Sequence, residues 1–153
     1  MASANVDLAR SILATWERGD WSSAEWAHPD IEFVRAEGGL RSSSTGLAGM
    51  AESWREWLTA WQDFRIAEVE EYREIDEERV LVLHRFTGRG RTSGLEVNET
   101  LARGASLFHI RDRKVTRVVA YTPREQAFAD LGLAPEGAPV ERNSNRPPVE
   151  GDV

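Results

Sequence analysis

The 153-residue chain contains no cysteine, which excludes disulfides, thiolate metal sites and a thiol nucleophile. Lys114 is its one lysine among 19 basic residues, and the arginines are interleaved with acids rather than gathered in a stripe. With 26 acidic residues and a net charge of −7, the chain has no basic surface of the kind a phosphate backbone requires, so no nucleic-acid partner is expected. No apolar run approaches the ~20 residues that cross a bilayer, and the N-terminus lacks a basic-then-apolar leader pattern. The expectation is a cytoplasmic protein with no membrane partner. Histidine is scarce: His28, His84 and His109 are scattered and set no metal-ligand spacing, so neither metal nor cofactor is expected. The length suits one domain with a real core and leaves little room for a second.

The organising stretch runs from Arg79 to Thr122. Runs rich in Val, Leu and Phe alternate there with Gly, Asn and charged residues, the pattern of strands joined by turns. Val80, Leu81, Val82 and Leu83 are apolar at every position, which predicts a central strand buried on both faces. His84 follows, on the face of Val82 and Phe86, because side chains alternate along a strand. It is a titratable group on an apolar face. The break at Arg111-Asp112-Arg113-Lys114 predicts a tight antiparallel connection. Gly88 to Gly94 is Gly- and Arg-rich but opens no helix, so it reads as a hairpin loop rather than a phosphate cradle. Leu95 to Asn98 reads as a further strand-like run.

Upstream, Val6, Ala9, Ile12, Leu13 and Trp16 recur at helical spacing, with Ser3 or Asn5 to cap and Gly19 to close. A short second helix is predicted over Ala24 to Ala27, capped by Ser22 or Ser23 and ended before Pro29. A strand over Ile31 to Val34 and a polar loop from Gly38 to Gly46 come next. Met50, Trp54, Trp57, Leu58 and Trp61 then form one helical stripe. An acidic strand is predicted over Phe64 to Tyr72. After the sheet, Thr122, Pro123 and Glu125 predict a helix start with a capping box, and Gly132 a stop. From Ala134 the chain has almost nothing to bury, so residues 1–133 are read as one domain and 134–153 as a disordered tail. The sum is an α+β layout, a curved, mainly antiparallel sheet wrapped on helices.

Several of these segments carry a resemblance. They are Glu17-Arg18-Gly19-Asp20, His28-Pro29-Asp30, Gly46 to Met50 opening a Trp-rich helix, Val80 to Gly88, Phe108 to Val115, and Tyr121 to Leu133. In this order the chain resembles the SnoaL-like branch of the nuclear transport factor 2 superfamily. Arg113 departs from the glycine usual at that turn. The resemblance implies a cone-shaped α+β barrel (cystatin-like, nuclear transport factor 2-like) with a deep apolar pocket, in a homodimer. Its relatives include ketosteroid isomerase and polyketide cyclases. The isomerase's catalytic positions fall here near Ile12, Val34 and Ser106, and the cyclase acid near Ala120, none of which moves a proton. His84 remains as the candidate acid or base. Trp54, Trp57, Phe86, Ser106, Phe108 and Tyr121 are the candidate ligand contacts, with Arg35 and Glu37 at the pocket mouth. Three functions stay open: a pocket protein for a small apolar or aromatic ligand, an isomerase, cyclase or hydrolase working through His84, and a non-catalytic structural or regulatory dimer.

Overall fold

The computed structural model describes residues 3–37, 39–90 and 103–134. Helix α1 (Ala4–Glu17) begins at Ser3, whose hydroxyl accepts from the Val6 amide at 3.1 Å. It buries Val6, Ala9, Ile12, Leu13 and Trp16, the spacing that puts one face on the core. Gly19, in the left-handed region at φ +83, lets the chain reverse without a Cβ penalty. Strands β1 (Ala27–Glu37) and β2 (Leu40–Thr45), helix α2 (Gly46–Thr59), and strands β3 (Trp61–Glu74), β4 (Arg79–Gly90), β5 (Arg103–Arg111) and β6 (Lys114–Thr122) follow in order, and helix α3 (Glu125–Leu131) closes the described chain. The sheet order is β2-β1-β6-β5-β4-β3. All neighbours are antiparallel except β1 and β6, which run parallel.

The central strands of the sheet are buried on both faces. Ile31, Phe33, Val80, Val82, Phe108 and Val118 point inward to α1 and α2. Leu81, Leu83, Leu107 and Val119 point outward, against Ala127 and Phe128 of α3. That explains the unbroken Val80–Leu83 run: β4 lies between β3 and β5, and all four residues are at most 3% exposed. Asp112 and Arg113 both take positive φ, 53° and 65°, so the β5–β6 connection is a hairpin turn with two left-handed residues, the geometry that matches strand twist.

Five local expectations are corrected. The helix expected over Ala24 to Ala27 does not form, and Ala27 already begins β1; Asp20 Oδ1 instead accepts from the Ser22 and Ser23 amides at 3.1 and 3.3 Å, a side-chain turn that competes with helix formation. Pro29 lies inside β1, at the register shift between Ala27 and Glu32, where a missing N–H costs no ladder bond. The Ser-rich segment from Leu40 to Thr45 is a strand and not a loop; its ladder partners come from β1 and it forms the sheet edge, so its polar side chains, Ser44 apart, stay in solvent. Trp61 begins β3 rather than ending α2. At the C-terminal helix, Thr122 ends β6 and Arg124 precedes α3 without a side-chain cap, while Gly132 closes it at φ +69 as its sequence suggests. The segment from Arg91 to Asn98 and the tail from Pro135 lie outside the described residues.

Candidate functional site

The inner face of the sheet and α2 enclose an aromatic cavity. Trp54 projects from α2 between Trp21 and Phe33, with ring centroids 4.6 and 5.3 Å away. Trp57 meets Phe64 and Phe86 edge-on at 5.6 and 6.1 Å. Trp16 of α1 stands 5.2 Å from Trp54. What these rings leave open is about 40 Å³, room for roughly three waters at ~10–15 Å³ each.

His84 borders this space. Its Nε2 lies 3.0 Å from Ser106 Oγ across β4 and β5. Nδ1 is buried and has no hydrogen-bond partner among the described residues. Burial, and then the nearby positive charge of Arg124, push its pKa down from 6.5 to about 3, so the ring is neutral at physiological pH. A neutral imidazole presents one donor and one acceptor. Whichever way Ser106 is oriented, one of those two functions is left open at Nδ1.

Two neighbours that the sequence did not flag fix the surroundings of His84, one at its ring and one at its backbone. Gly104 is paired with His84 across the strands; a Cβ there would stand 3.0 Å from His84 Cε1 and 3.2 Å from the Tyr121 carbonyl oxygen. Only glycine leaves the ring that space. Arg124 is 1% exposed, donates to the His84 carbonyl oxygen at 2.8 Å and pairs with Glu70 at 2.8 Å. The signal for Gly104 was a glycine inside a strand, a known mark of close approach. Arg124 offered no such signal, because nothing in a Thr-Pro-Arg-Glu run separates a buried arginine from an exposed one.

Of the expected ligand contacts, Trp54, Trp57, Phe86 and Ser106 border the cavity with His84. Phe108 does not; it is fully buried beneath, 5.9 Å from Trp16. Tyr121 reaches the cavity edge, but its hydroxyl donates to Asp130 at 3.0 Å, on the outer side where Arg41 also binds Asp130. Burial pushes that phenol's pKa up. Arg35 and Glu37 lie at the cavity's β1 end. Trp16, Trp21, Phe33 and Ala120 also border it and were not anticipated. Among the described residues no cluster of three His, Asp or Glu could hold a metal ion, and no helix is long and apolar enough to cross a membrane.

A family model described as a SnoaL-like domain matches residues 9–118. No match is found among curated proteins. Among solved structures, an NTF2-like protein of unknown function from Burkholderia pseudomallei is 18% identical, with 84% of this chain and 97% of that one covered at a TM-score of 0.68. A protein of unknown function with a cystatin-like fold from Xanthomonas campestris is 17% identical, covering 84% and 98% at 0.64. TerC, co-crystallised with polyporic acid, is 27% identical, covering 84% and 98% at 0.62.

Proposed function

The chain belongs to the SnoaL-like domain family, and from that premise we infer that its aromatic cone is a receptor for a small, mainly apolar molecule held beside His84. One observation carries the reading: a buried imidazole nitrogen with no partner, at the wall of an aromatic cavity. Native proteins rarely leave such a group unpaired, since an unmet buried polar atom costs about 1–3 kcal/mol. A ligand that pairs with Nδ1 recovers that cost. Co-crystallisation of TerC with polyporic acid is in keeping with a ligand-binding cone.

Binding suits His84 better than catalysis does. General acid–base catalysis works best with a pKa near the working pH, and a group at about 3 is a weak base and is never the charged acid at neutrality. Admission requires movement, because pockets for drug-sized ligands are ~300–1,000 Å³ and this cavity is about 40 Å³. Helix α2 is the wall that yields: Met50 is its one fully buried residue, against five in α1.

The small volume also favours a second reading, in which the cone is filled by its own side chains and the protein is structural. Titration with a panel of one- and two-ring aromatic compounds separates the two, followed by tryptophan fluorescence and melting temperature. Saturable quenching with a raised Tm is expected. A panel in which no compound moves either signal leaves only the self-filled core.

A further inference from the structure

The cavity's unmet polar atoms have a direction. Among the described residues, Arg35 Nε and Trp54 Nε1 are buried without a hydrogen-bond acceptor, and both are donors only. They occupy one seam. Phe33 and Arg35 are two apart on β1 and share its inner face; the Trp54 ring packs on Phe33 at 5.3 Å, and Arg35 lies 5.9 Å from the Trp57 ring. The existing contacts of Arg35 are loose: Ser53 O at 3.4 Å, Glu37 at 3.5 Å and Glu56 at 3.7 Å. Both carboxylates are substantially exposed, 40% and 61%, so either can turn into water and free the guanidinium.

The strand register places His84 across the sheet from this seam, one row along the same face. Arg35 is level with Ala120, and Ala120 with Ser106, so Arg35 and Ser106 are two strands apart, ~10 Å between Cα atoms. Ser106 pairs with Val82 on the next strand, and His84, whose side chain reaches Ser106, lies two residues further along that strand opposite Gly104. The floor between the two ends is small: Ala120, Ser106 and Gly104. Donors lie at one end of it and an imidazole at the other.

We propose that the molecule this pocket takes is a planar hydroxyaromatic carboxylate, its carboxylate accepting from Arg35 and Trp54 and its hydroxyl meeting Nδ1 of His84. A hydroxyl both donates and accepts, so it satisfies either tautomer of His84. The inference rests on the receptor reading above and adds the ligand's chemistry to it.

The test is calorimetric titration of the full chain at pH 7 with phenol, benzoate, 4-hydroxybenzoate and benzyltrimethylammonium. Phenol is expected to bind weakly and 4-hydroxybenzoate about ten-fold tighter, the usual gain from a hydrogen bond to a charged group. Arg35→Gln is expected to erase that gain, and His84→Phe to erase the advantage of 4-hydroxybenzoate over benzoate. Glu56 is exposed, so Glu56→Gln folds normally; with a competing carboxylate removed, it is expected to bind 4-hydroxybenzoate about two-fold tighter. Equal affinities for phenol and 4-hydroxybenzoate overturn the proposal and leave a plain apolar receptor. So does preferential binding of the ammonium, which the aromatic walls and Glu37 would favour. Silence from all four compounds removes the receptor reading itself.

Discussion

If His84 is neutral because it is buried, stability must fall with pH in a window that this residue sets. The unfolded chain takes up a proton near 6.5, whereas the folded chain takes one up only near 3. Between those values the unfolded state binds more protons, so acidification favours it. The contribution is fully present above pH 6.5 and is lost progressively toward pH 3. Each unit of displacement is worth ~1.36 kcal/mol, so at pH 5 the folded state is weakened by about 2 kcal/mol from this group alone. Burial also lowers the pKa of His109, adding a smaller loss of the same sign, and a subtraction removes it. The assay is urea denaturation of the parent chain and of His84→Gln at half-unit steps from pH 7.5 to 4.5. Glutamine keeps a group that can bond Ser106 and does not titrate. The difference between the two chains is expected to be flat above pH 6.5 and to slope by about 1.4 kcal/mol per unit below it. Parallel curves across the whole range would refute a buried neutral imidazole.

Gly104→Ala is expected to destabilise by about 1–2 kcal/mol, overpacking against His84 and the Tyr121 carbonyl outweighing the ~0.4–1 kcal/mol entropic gain of losing a glycine. In a His84→Ala background the penalty shrinks by at least half, and a thermal-melt double-mutant cycle reads the coupling. Glu70→Gln takes the carboxylate from Arg124, which is 1% exposed, and is expected to cost about 3 kcal/mol in chemical denaturation; an unchanged midpoint would mean that the pair holds nothing together. Ser3→Ala removes the cap of α1 and is expected to cost about 1 kcal/mol, visible as a lower melting temperature with the fold's far-ultraviolet spectrum intact.

What the sequence made legible was whatever a local pattern determines. The Val80–Leu83 run announced a strand covered on both sides, and the parity of His84 with Val82 and Phe86 put it on the inner face. The stripe from Val6 to Trp16 fixed α1. Most of the misreadings trace to a partner far away in the chain. Leu40 to Thr45 has the composition of a loop and becomes a strand because β1 offers it a ladder. The segment from Ala24 to Ala27 has helix-compatible residues, yet Asp20 takes the Ser22 and Ser23 amides just before it and Trp26 is drawn to the sheet, its carbonyl accepting from the Val115 amide at 2.9 Å. Within the site, the aromatic residues and His84 were visible as types. Their sharing of one cavity with Arg35 depends on register across β4, β5, β6 and β1, which no local window contains. The outward turn of the Tyr121 hydroxyl depends on Asp130 of a helix whose position the sequence did not specify.

The parallel ladder between β1 and β6 joins Phe33 to Val118 and Arg35 to Ala120, residues separated by most of the described chain. Long-range pairings form late, because the entropy of closing so large a loop must be met before any contact repays it. The antiparallel β3–β6 meander can assemble from neighbours in sequence, and it already contains His84, Ser106 and Gly104. Arg35, Phe33, Trp54 and Trp57 arrive with β1 and α2. The two ends of the cavity therefore belong to different stages of folding. A ribosome-bound chain released before β6 emerges holds neither the floor at Ala120 nor a place for β1 to dock. The pocket is therefore expected to form late, when the first strand of the sheet meets the last.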